Sequence, residues 1–156
     1  MLPRILIADD HEVVREGVST LIMRARPDWR ICGESSTGNE TIDAAIALNP
    51  DVIILDITMP GLSGLEAARR IVDRVPACRI VMFTMHESET LEIEVRSAGA
   101  HGYVLKSQAA QNLIVAIETL LSGGTFFGVP AFPEPARNDK PNQGIAFWPA
   151  LGLGYV

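Results

Sequence analysis

The sequence predicts an α/β protein in which a doubly wound, five-stranded parallel sheet is combined with five helices and followed by a Pro/Gly-rich C-terminal tail. Two observations support this prediction. Short apolar runs alternate with stretches of helical periodicity over the first 127 residues, and such alternation is typical of parallel sheets with right-handed crossovers. The run at residues 52–55 is apolar at each position, as expected for a central strand covered on both faces.

The predicted elements follow one another in regular order. The strands are residues 4–8, 29–33, 52–55, 80–83 and 102–105. The helices are a first one with Val13, Val14, Val18, Leu21 and Ile22 on its apolar face, and then residues 41–48, 65–75, 89–98 and 111–121. Pro50 and Pro76 end two of these helices, because proline disrupts a helical backbone. Gly99 follows the fourth helix, where a left-handed residue often stands.

The composition changes at about residue 128, so we predict a folded domain at residues 1–127 and a linker-like tail at 128–156. The last 29 residues contain five of the ten prolines and four glycines. They lack helical periodicity and do not resemble a helix-turn-helix domain. The tail could support self-association or pack on the domain, and the alternative is a tail without fixed structure. Its large apolar residues are Phe147, Trp148, Leu151 and Tyr155.

Composition and charge exclude several classes of protein. The formal net charge is −6, so a strongly basic face for nucleic acid is not expected. The two cysteines, Cys32 and Cys78, form no CxxC pair and indicate reduced thiols. Acidic residues arrive too early for a signal peptide, and no apolar run reaches the length of a membrane span. We therefore expect a cytoplasmic protein without membrane association.

Chemically reactive side chains follow four of the predicted strands. Asp9 and Asp10 follow the first, Asp56 the third, Thr84 the fourth and Lys106 the fifth. Because the carboxyl ends of parallel strands meet at one edge, these side chains should surround a small cleft. Close carboxylates repel one another unless a cation is present, and such oxygen ligands suit Mg²⁺. A carboxylate beside Mg²⁺ can attack phosphorus, while an ammonium and a hydroxyl bind the phosphoryl oxygens.

Each of these residues also has a purely structural interpretation. The pair Asp9-Asp10 could cap a helix, Thr84 could be an ordinary strand end, and Lys106 could be a solvated charge. The arrangement of all of them after the strands favours the chemical interpretation.

Two other motifs are incomplete. Residues 11–15 (HEVVR) begin like a zinc protease motif, but Arg15 stands where the second histidine is required, so no zinc site of that type follows. Residues 61–64 (GLSG) lack the ending of a phosphate-binding loop and are typical of a turn that leads into a helix.

The sequence resembles the receiver domains of two-component response regulators and is most similar to those of the NarL/FixJ type. The resemblance is found in ILIADDHEVVREG, DVIILDITMPGLSGLE, IVMFTMHE and GAHGYVLKS, and it covers about residues 3–127. It implies the flavodoxin-like receiver fold and a phosphoprotein of a phosphorelay. A sensor histidine kinase would phosphorylate this domain, which would change shape and signal to a downstream protein partner or through self-association.

The resemblance also implies roles at the matching positions. Asp56 is the implied phosphoacceptor. The implied Mg²⁺ ligands are Asp9, Asp10, Asp56 and the backbone carbonyl oxygen of Thr58. Thr84 and Lys106 are implied to bind the phosphoryl group, and Thr84 and Tyr103 are implied to act as the switch. The residues implied to tune the lifetime of the phosphate are Thr58, Met85 and His86.

Two positions depart from the common receiver pattern. Ser107 follows Lys106 where many receivers have proline, often after a cis bond. A cis bond before another residue costs about 2.5–4 kcal/mol, so the sequence leaves the geometry of this bond open. Met85 follows Thr84 where many receivers carry a small residue, and its side chain could narrow access to Asp56.

Two alternative functions remain open. Relatives of the NarL/FixJ type usually continue into a helix-turn-helix domain, so this chain could be a DNA-binding transcription regulator without its output domain. Direct DNA binding by this chain is not expected. The second alternative is a Mg²⁺-dependent phosphatase-like enzyme, which is disfavoured because Thr58 stands where a general acid is needed. We expect a signalling domain rather than a turnover enzyme.

Overall fold

The structure, a computed structural model, describes residues 2–128 and 130–133, and these form seven strands and five α-helices. The strands are β1 (Arg4–Ala8), β2 (Arg30–Ser35), β3 (Val52–Asp56), β4 (Arg79–Thr84), β5 (Gly102–Leu105), β6 (Thr125–Phe127) and β7 (Pro130–Ala131). The helices are α1 (Glu12–Ala25), α2 (Gly38–Leu48), α3 (Gly64–Arg74), α4 (Leu91–Ser97) and α5 (Ala109–Leu121). A turn of 3₁₀ helix, Lys106–Gln108, precedes α5. Among the described helices, none combines the length and the apolar composition that crossing a bilayer requires.

These strands form one sheet with the order β2-β1-β3-β4-β5-β6-β7. Neighbours from β2 to β6 run parallel, and β7 runs antiparallel to β6. The doubly wound α/β fold is confirmed, with the correction that six parallel strands are present instead of five. The sequence did not reveal β6 because three residues are too few to show a period. Its pairing defines it, since Gly102 and Tyr103 lie opposite Phe126 and Phe127.

Strand residues alternate between two hydrophobic cores, one on each face of the sheet. Leu6 and Ile53 pack in the core that includes residues of α2, α3 and α4. Ile5 and Ile54 pack in the core that includes residues of α1 and α5. The five residues of β3 are all buried, as predicted for a central strand. This double covering holds the end of β3, and with it Asp56, in a rigid position.

Several helix boundaries differ from the prediction by one to three residues, and α2 and α4 are examples. α2 begins at Gly38 rather than at residue 41, because the Thr37 side chain accepts a hydrogen bond from the Glu40 backbone N–H and caps the helix. α4 is shorter than the predicted 89–98, and its N-terminal neighbour Thr90 makes no such capping bond. A capping hydrogen bond forms only in the folded chain, so the helical spacing of apolar residues does not by itself locate the start of a helix.

The predicted domain boundary after residue 127 stays a prediction. Just beyond it, β7 pairs with Thr125 and Phe126 of β6. The tail residues on which the self-association prediction rests lie outside the described residues. They are Phe147, Trp148, Leu151 and Tyr155.

His101 connects the start of β5 to the strands on either side. Its ring Nδ1 accepts a hydrogen bond from the Ile80 backbone N–H (2.9 Å), and the backbone N–H of His101 donates to the Ile80 carbonyl (2.8 Å). Its carbonyl accepts from the Phe126 N–H (3.0 Å). A ring nitrogen that accepts a backbone N–H carries no proton, so the fold requires the neutral imidazole. Burial, and then the charge of Arg79, lower the pKa of His101 to about 4.

We expect His101 to make the fold less stable as the pH falls from about 6.5 towards 4, because the unfolded chain then binds a proton that the folded chain does not. His101→Asn keeps an acceptor oxygen but cannot titrate. Urea unfolding, followed by circular dichroism at about pH 7.5 and about pH 4.5, measures the effect. The variant should lose about 1 kcal/mol less unfolding free energy than the wild type, a value reduced for solvent screening of a partly exposed ring. Equal losses in both proteins would contradict this role.

Candidate functional site

Asp9 and Asp10 lie directly beyond β1, at the edge where the parallel strands end. The Asp9 backbone N–H donates to the Ser35 carbonyl (3.0 Å), which continues the pairing of β1 with β2. Asp9 is only 1% exposed. One buried oxygen of each carboxylate, Asp9 Oδ2 and Asp10 Oδ1, accepts no hydrogen bond from the described residues. Basic groups face these two oxygens instead, since Lys106 Nζ lies 2.7 Å from Asp9 Oδ2 and His11 Nδ1 lies 3.1 Å from Asp10 Oδ1.

Asp56 is the last residue of β3, and its side chain is buried. Its Oδ1 accepts a hydrogen bond from the Thr58 backbone N–H (3.2 Å). A hydrogen bond from the Gly64 N–H to the Ile57 carbonyl (2.7 Å) joins the two ends of the loop that follows β3. A Cβ atom on Gly64 would lie 1.9 Å from the Asp56 carbonyl oxygen, so only glycine allows this approach.

Lys106 brings a positive charge to the aspartates. Its Nζ lies 2.7 Å from Asp9 Oδ2 and 3.4 Å from Asp56 Oδ2. The shorter contact is an ion pair without hydrogen-bond geometry, which is why Asp9 Oδ2 still accepts no hydrogen bond. Burial raises the pKa of Asp56 and the Asp9 carboxylate raises it further, while Lys106 and the Thr58 N–H act in the opposite direction. The described residues contain no cis peptide bond, so the bond after Lys106 is trans.

Thr84 ends β4 beside this group, and its side chain is buried. Asp56 lies opposite Phe83, which places Thr84 one residue further along the neighbouring strand. The Thr84 Oγ1 accepts a long hydrogen bond from the His86 N–H (3.4 Å). His86, Thr58 and Met85 are exposed at this edge, and Met85 extends into solvent with 67% of its surface accessible.

Tyr103 lies on β5 outside the acidic group. Its ring meets the Phe127 ring of β6 edge-on, with 6.1 Å between the centroids. The guanidinium of Arg96 in α4 lies 3.8 Å from the centroid of Phe127 and pairs with Glu92 (3.1 Å). Burial, and then the charges of Glu87 and Glu92, raise the pKa of Tyr103. Strand β6 therefore connects Tyr103 to α4.

Two residues at the site received no role from the sequence. His11 Nδ1 lies 3.3 Å from Asp9 Oδ1 and 3.1 Å from Asp10 Oδ1. Arg15 donates to the Asp9 carbonyl (2.7 Å) and pairs with Glu34 of β2 (2.9 Å). The four-residue spacing places His11 and Arg15 on one side of the start of α1, and this spacing is the signal that could have revealed them.

The acidic group fits a divalent cation. Asp9, Asp10, His11 and Asp56 each offer a ligand atom, and these four atoms lie within 4.8 Å of one another. A divalent cation would offset the repulsion among the three carboxylates and would give Asp10 Oδ1, which accepts no hydrogen bond from the described residues, a charged partner. Clustered carboxylates are ligands that Mg²⁺ prefers. The structure thus brings Asp9, Asp10, Asp56 and Lys106 together, places Thr84 alongside them, and leaves Tyr103 outside.

The family follows from comparison with known sequences. The response regulator receiver domain matches residues 5–118, and the chain belongs to this family. The nitrate/nitrite response regulator protein NarL of Escherichia coli strain K12 is 38% identical over 139 residues, which are 89% of this chain and 64% of NarL. The transcriptional regulatory protein DegU of Brevibacillus brevis is 34% identical over 123 residues, 79% of this chain and 52% of DegU. The chain thus spans between 52% and 64% of these two relatives.

Solved structures agree with this classification. A two-component response regulator of the LuxR family from Aurantimonas sp. SI85-9A1 superimposes with a TM-score of 0.77 at 38% identity, over 81% of this chain and 90% of that one. The receiver domain of RcsB from Salmonella enterica serovar Typhimurium, determined in the presence of phosphomimetic BeF₃⁻, has a TM-score of 0.72 at 26% identity, over 86% and 95% of the two chains. The predicted resemblance to NarL-type receivers of two-component systems is confirmed.

Proposed function

We propose that Asp56 accepts a phosphoryl group from a sensor histidine kinase and that the domain then signals through a change of shape. The convergence of three aspartates with one lysine is the observation that most strongly supports this. Lys106 Nζ lies 2.7 Å from Asp9 Oδ2 and 3.4 Å from Asp56 Oδ2, so one cation faces two carboxylates in a buried setting. Membership of the receiver family supports the same function.

In the proposed reaction, a carboxylate oxygen of Asp56 attacks phosphorus. A P–O bond forms to Asp56 as the bond between phosphorus and the donor nitrogen of the kinase histidine breaks. The Thr58 N–H holds Oδ1, whereas Oδ2 faces Lys106. We assign the transferred oxygens to the Lys106 ammonium and the Thr84 hydroxyl, because both lie at the same sheet edge and can donate to them.

We assign a Mg²⁺ site to the Asp9, Asp10 and Asp56 carboxylates and the Thr58 carbonyl oxygen. When bound there, Mg²⁺ neutralises charge on the phosphoryl oxygens. Arg15 positions this site, because its hydrogen bond to the Asp9 carbonyl and its ion pair with Glu34 hold the turn that carries both acidic residues.

The phosphoryl group stays on Asp56 until water removes it, so this is signalling chemistry and not enzymatic turnover. We propose that Thr58, Met85 and His86 tune its lifetime, because they are exposed at the edge where water approaches.

We assign the switch to Thr84 and Tyr103. The contacts of Tyr103 with Phe127, and of Phe127 with Arg96, provide a route from this residue to α4. Phosphorylation shifts the balance between two shapes only by its differential interaction with them, and the Thr84 hydroxyl and Lys106 supply that difference. The output is binding of a downstream protein or of a second copy.

A second candidate function, regulation of transcription by binding DNA, is favoured by the names of relatives such as the transcriptional regulatory protein DegU. The net charge of −6 argues against it, because DNA affinity depends on basic residues that neutralise phosphates. Sequence-specific, salt-dependent affinity of this chain for DNA would support this candidate.

The proposed function is tested by intact-mass spectrometry after incubation with acetyl phosphate. We expect a gain of about 80 Da that requires Mg²⁺ and disappears when the metal is chelated. Beryllofluoride with Mg²⁺ should shift the amide NMR signals of Thr84, Tyr103 and Phe127. A mass gain that is independent of Mg²⁺ would contradict the metal assignment, and no gain in any condition would contradict the phosphoacceptor.

A further inference from the structure

Phe127 of β6 stands directly beside Tyr103, one of the two residues to which we assign the switch. The two residues lie opposite each other on neighbouring parallel strands. Their rings meet edge-on, with 6.1 Å between the centroids and 65° between the planes, a geometry in which aromatic rings attract each other. The Phe127 ring is half-buried and packs against the core that includes residues of α4.

Arg96 of α4 makes a second contact with the Phe127 ring. Its guanidinium lies 3.8 Å from the ring centroid, within the range of a cation–π contact. The Arg96 Nε also pairs with the Glu92 carboxylate one turn earlier in the helix (3.1 Å). The Phe127 ring is therefore fixed to α4 while it contacts Tyr103.

Backbone contacts hold β6 in place independently of the Phe127 ring. The Phe126 N–H donates to the His101 carbonyl (3.0 Å), and the Arg79 side chain donates to the Gly124 carbonyl (2.7 Å). The Phe126 side chain is buried in the core on the opposite face of the sheet. A change of the Phe127 side chain therefore tests the ring contact and leaves the pairing of the strand in place.

Tyr103 lies between Phe127 and the end of β4. Strand β5 has β4, which ends in Thr84, on one side and β6, which contains Phe127, on the other. Tyr103 is opposite Met82 of β4, two residues before Thr84. A Tyr103 ring that turns towards Thr84 therefore moves away from Phe127 and loses the edge-on contact.

We propose that Phe127 is a positioning residue that holds Tyr103 outside the acidic group and thereby opposes phosphorylation of Asp56. This role rests on the proposed function, because the switch is assigned there to Thr84 and Tyr103. Only the outward arrangement of Tyr103 contains the ring contact, so the contact stabilises the unphosphorylated shape. Loss of the contact then raises the affinity for a phosphoryl group, because the domain no longer gives up that contact when the group binds.

The test is a titration with beryllofluoride, a phosphoryl mimic, at saturating Mg²⁺, followed through the amide NMR signal of Thr84. Phe127→Leu removes the ring and keeps an apolar side chain, so it should bind beryllofluoride about 3–10-fold more tightly, the factor that corresponds to one aromatic pair. Phe127→Tyr keeps the ring and should stay within about twofold of the wild type. Phe126→Leu is the matched control, because it makes the same change on the other face of the same strand, and it should also stay within about twofold.

A double-mutant cycle separates the ring contact from a general effect on β6. In a Tyr103→Leu background, Phe127→Leu should not change the affinity for beryllofluoride, because the partner ring is already absent. A gain that persists in that background, or an equal gain in Phe126→Leu, would overturn the ring contact as the cause.

Equal or weaker binding of beryllofluoride by Phe127→Leu would overturn the role of Phe127, and the proposed function would stand as long as the wild type responds. No response of the wild type to beryllofluoride and Mg²⁺ would overturn both. Circular dichroism checks folding. Arg96→Gln leaves β6 unchanged and repeats the test if Phe127→Leu does not fold, with an expected gain of about twofold from the lost cation–π contact. No gain in Arg96→Gln would then count against the role of Phe127.

Discussion

Asp56→Asn is expected to abolish the Mg²⁺-dependent mass gain of about 80 Da with acetyl phosphate. In the proposed reaction the neutral amide lacks the anionic oxygen that attacks phosphorus, and the proposed Mg²⁺ site loses one of its three carboxylates. The variant should fold and be at least as stable as the wild type in Mg²⁺-free buffer. Burial and the Asp9 charge raise the pKa of Asp56, so its ionised form is disfavoured in the fold and its removal relieves that penalty.

Asp43→Asn is the matched control, because it makes the same chemical change at an exposed carboxylate of α2. It should gain mass at the wild-type rate. A persistent gain in Asp56→Asn, located by peptide mapping at another residue, would move the phosphoacceptor away from β3. Loss of the gain in both variants would indicate a nonspecific effect of charge.

Gly64→Ala is expected to lower the free energy of unfolding by about 3 kcal/mol, at the upper end of ordinary overpacking costs, and to disturb phosphorylation of Asp56. The added Cβ would stand 1.9 Å from the Asp56 carbonyl oxygen and 2.8 Å from its carbonyl carbon. Both are backbone atoms of β3, so no side-chain rotation can relieve the contact. Denaturant unfolding and intact mass report the two effects on the same sample.

Gly17→Ala is expected to change the stability of the same domain in the opposite direction. This glycine lies inside α1, and a Cβ there would meet no atom within 4 Å apart from its chain neighbours and the adjacent helix backbone. Alanine should raise the unfolding free energy by about 0.5–1 kcal/mol through helix propensity, with phosphorylation unchanged. Equal stability changes in the Gly64 and Gly17 variants would show that the close approach at β3 has no energetic consequence.

Much of the fold was predictable because its signals are local. The apolar runs and helical periods located five strands and five helices, and the starts of β1 and β5 agree with the prediction. The sixth strand was not predictable, since Thr125–Phe127 has no pattern of its own and is defined by Gly102 and Tyr103 on the neighbouring strand. The start of α2 likewise depended on the Thr37 cap.

At the candidate site, too, some features were predictable from the sequence and others were not. Reactive residues directly after strands were predicted to meet at one edge, and the Asp9, Asp10 and Asp56 carboxylates do so with Lys106. The contribution of Arg15 was missed, because its hydrogen bond to the Asp9 carbonyl and its ion pair with Glu34 connect α1 to β1 and β2. Such contacts depend on how two elements pack, and neither element's sequence contains that information.

The sequence by itself determined the parallel α/β fold and the set of aspartates at the sheet edge, because periodicity and strand-end position are properties of short segments. Its motifs carried the resemblance to the receiver family. Tertiary structure alone decided that His11 Nδ1 lies between two carboxylates, that Gly64 touches the β3 backbone, and that β6 connects Tyr103 to α4. These features are distances between parts of the chain that pack together only in the folded state. Burial makes the contacts of Asp9, Asp56 and Gly64 energetically important, since buried polar groups and close backbone contacts have no solvent or free space to relieve them.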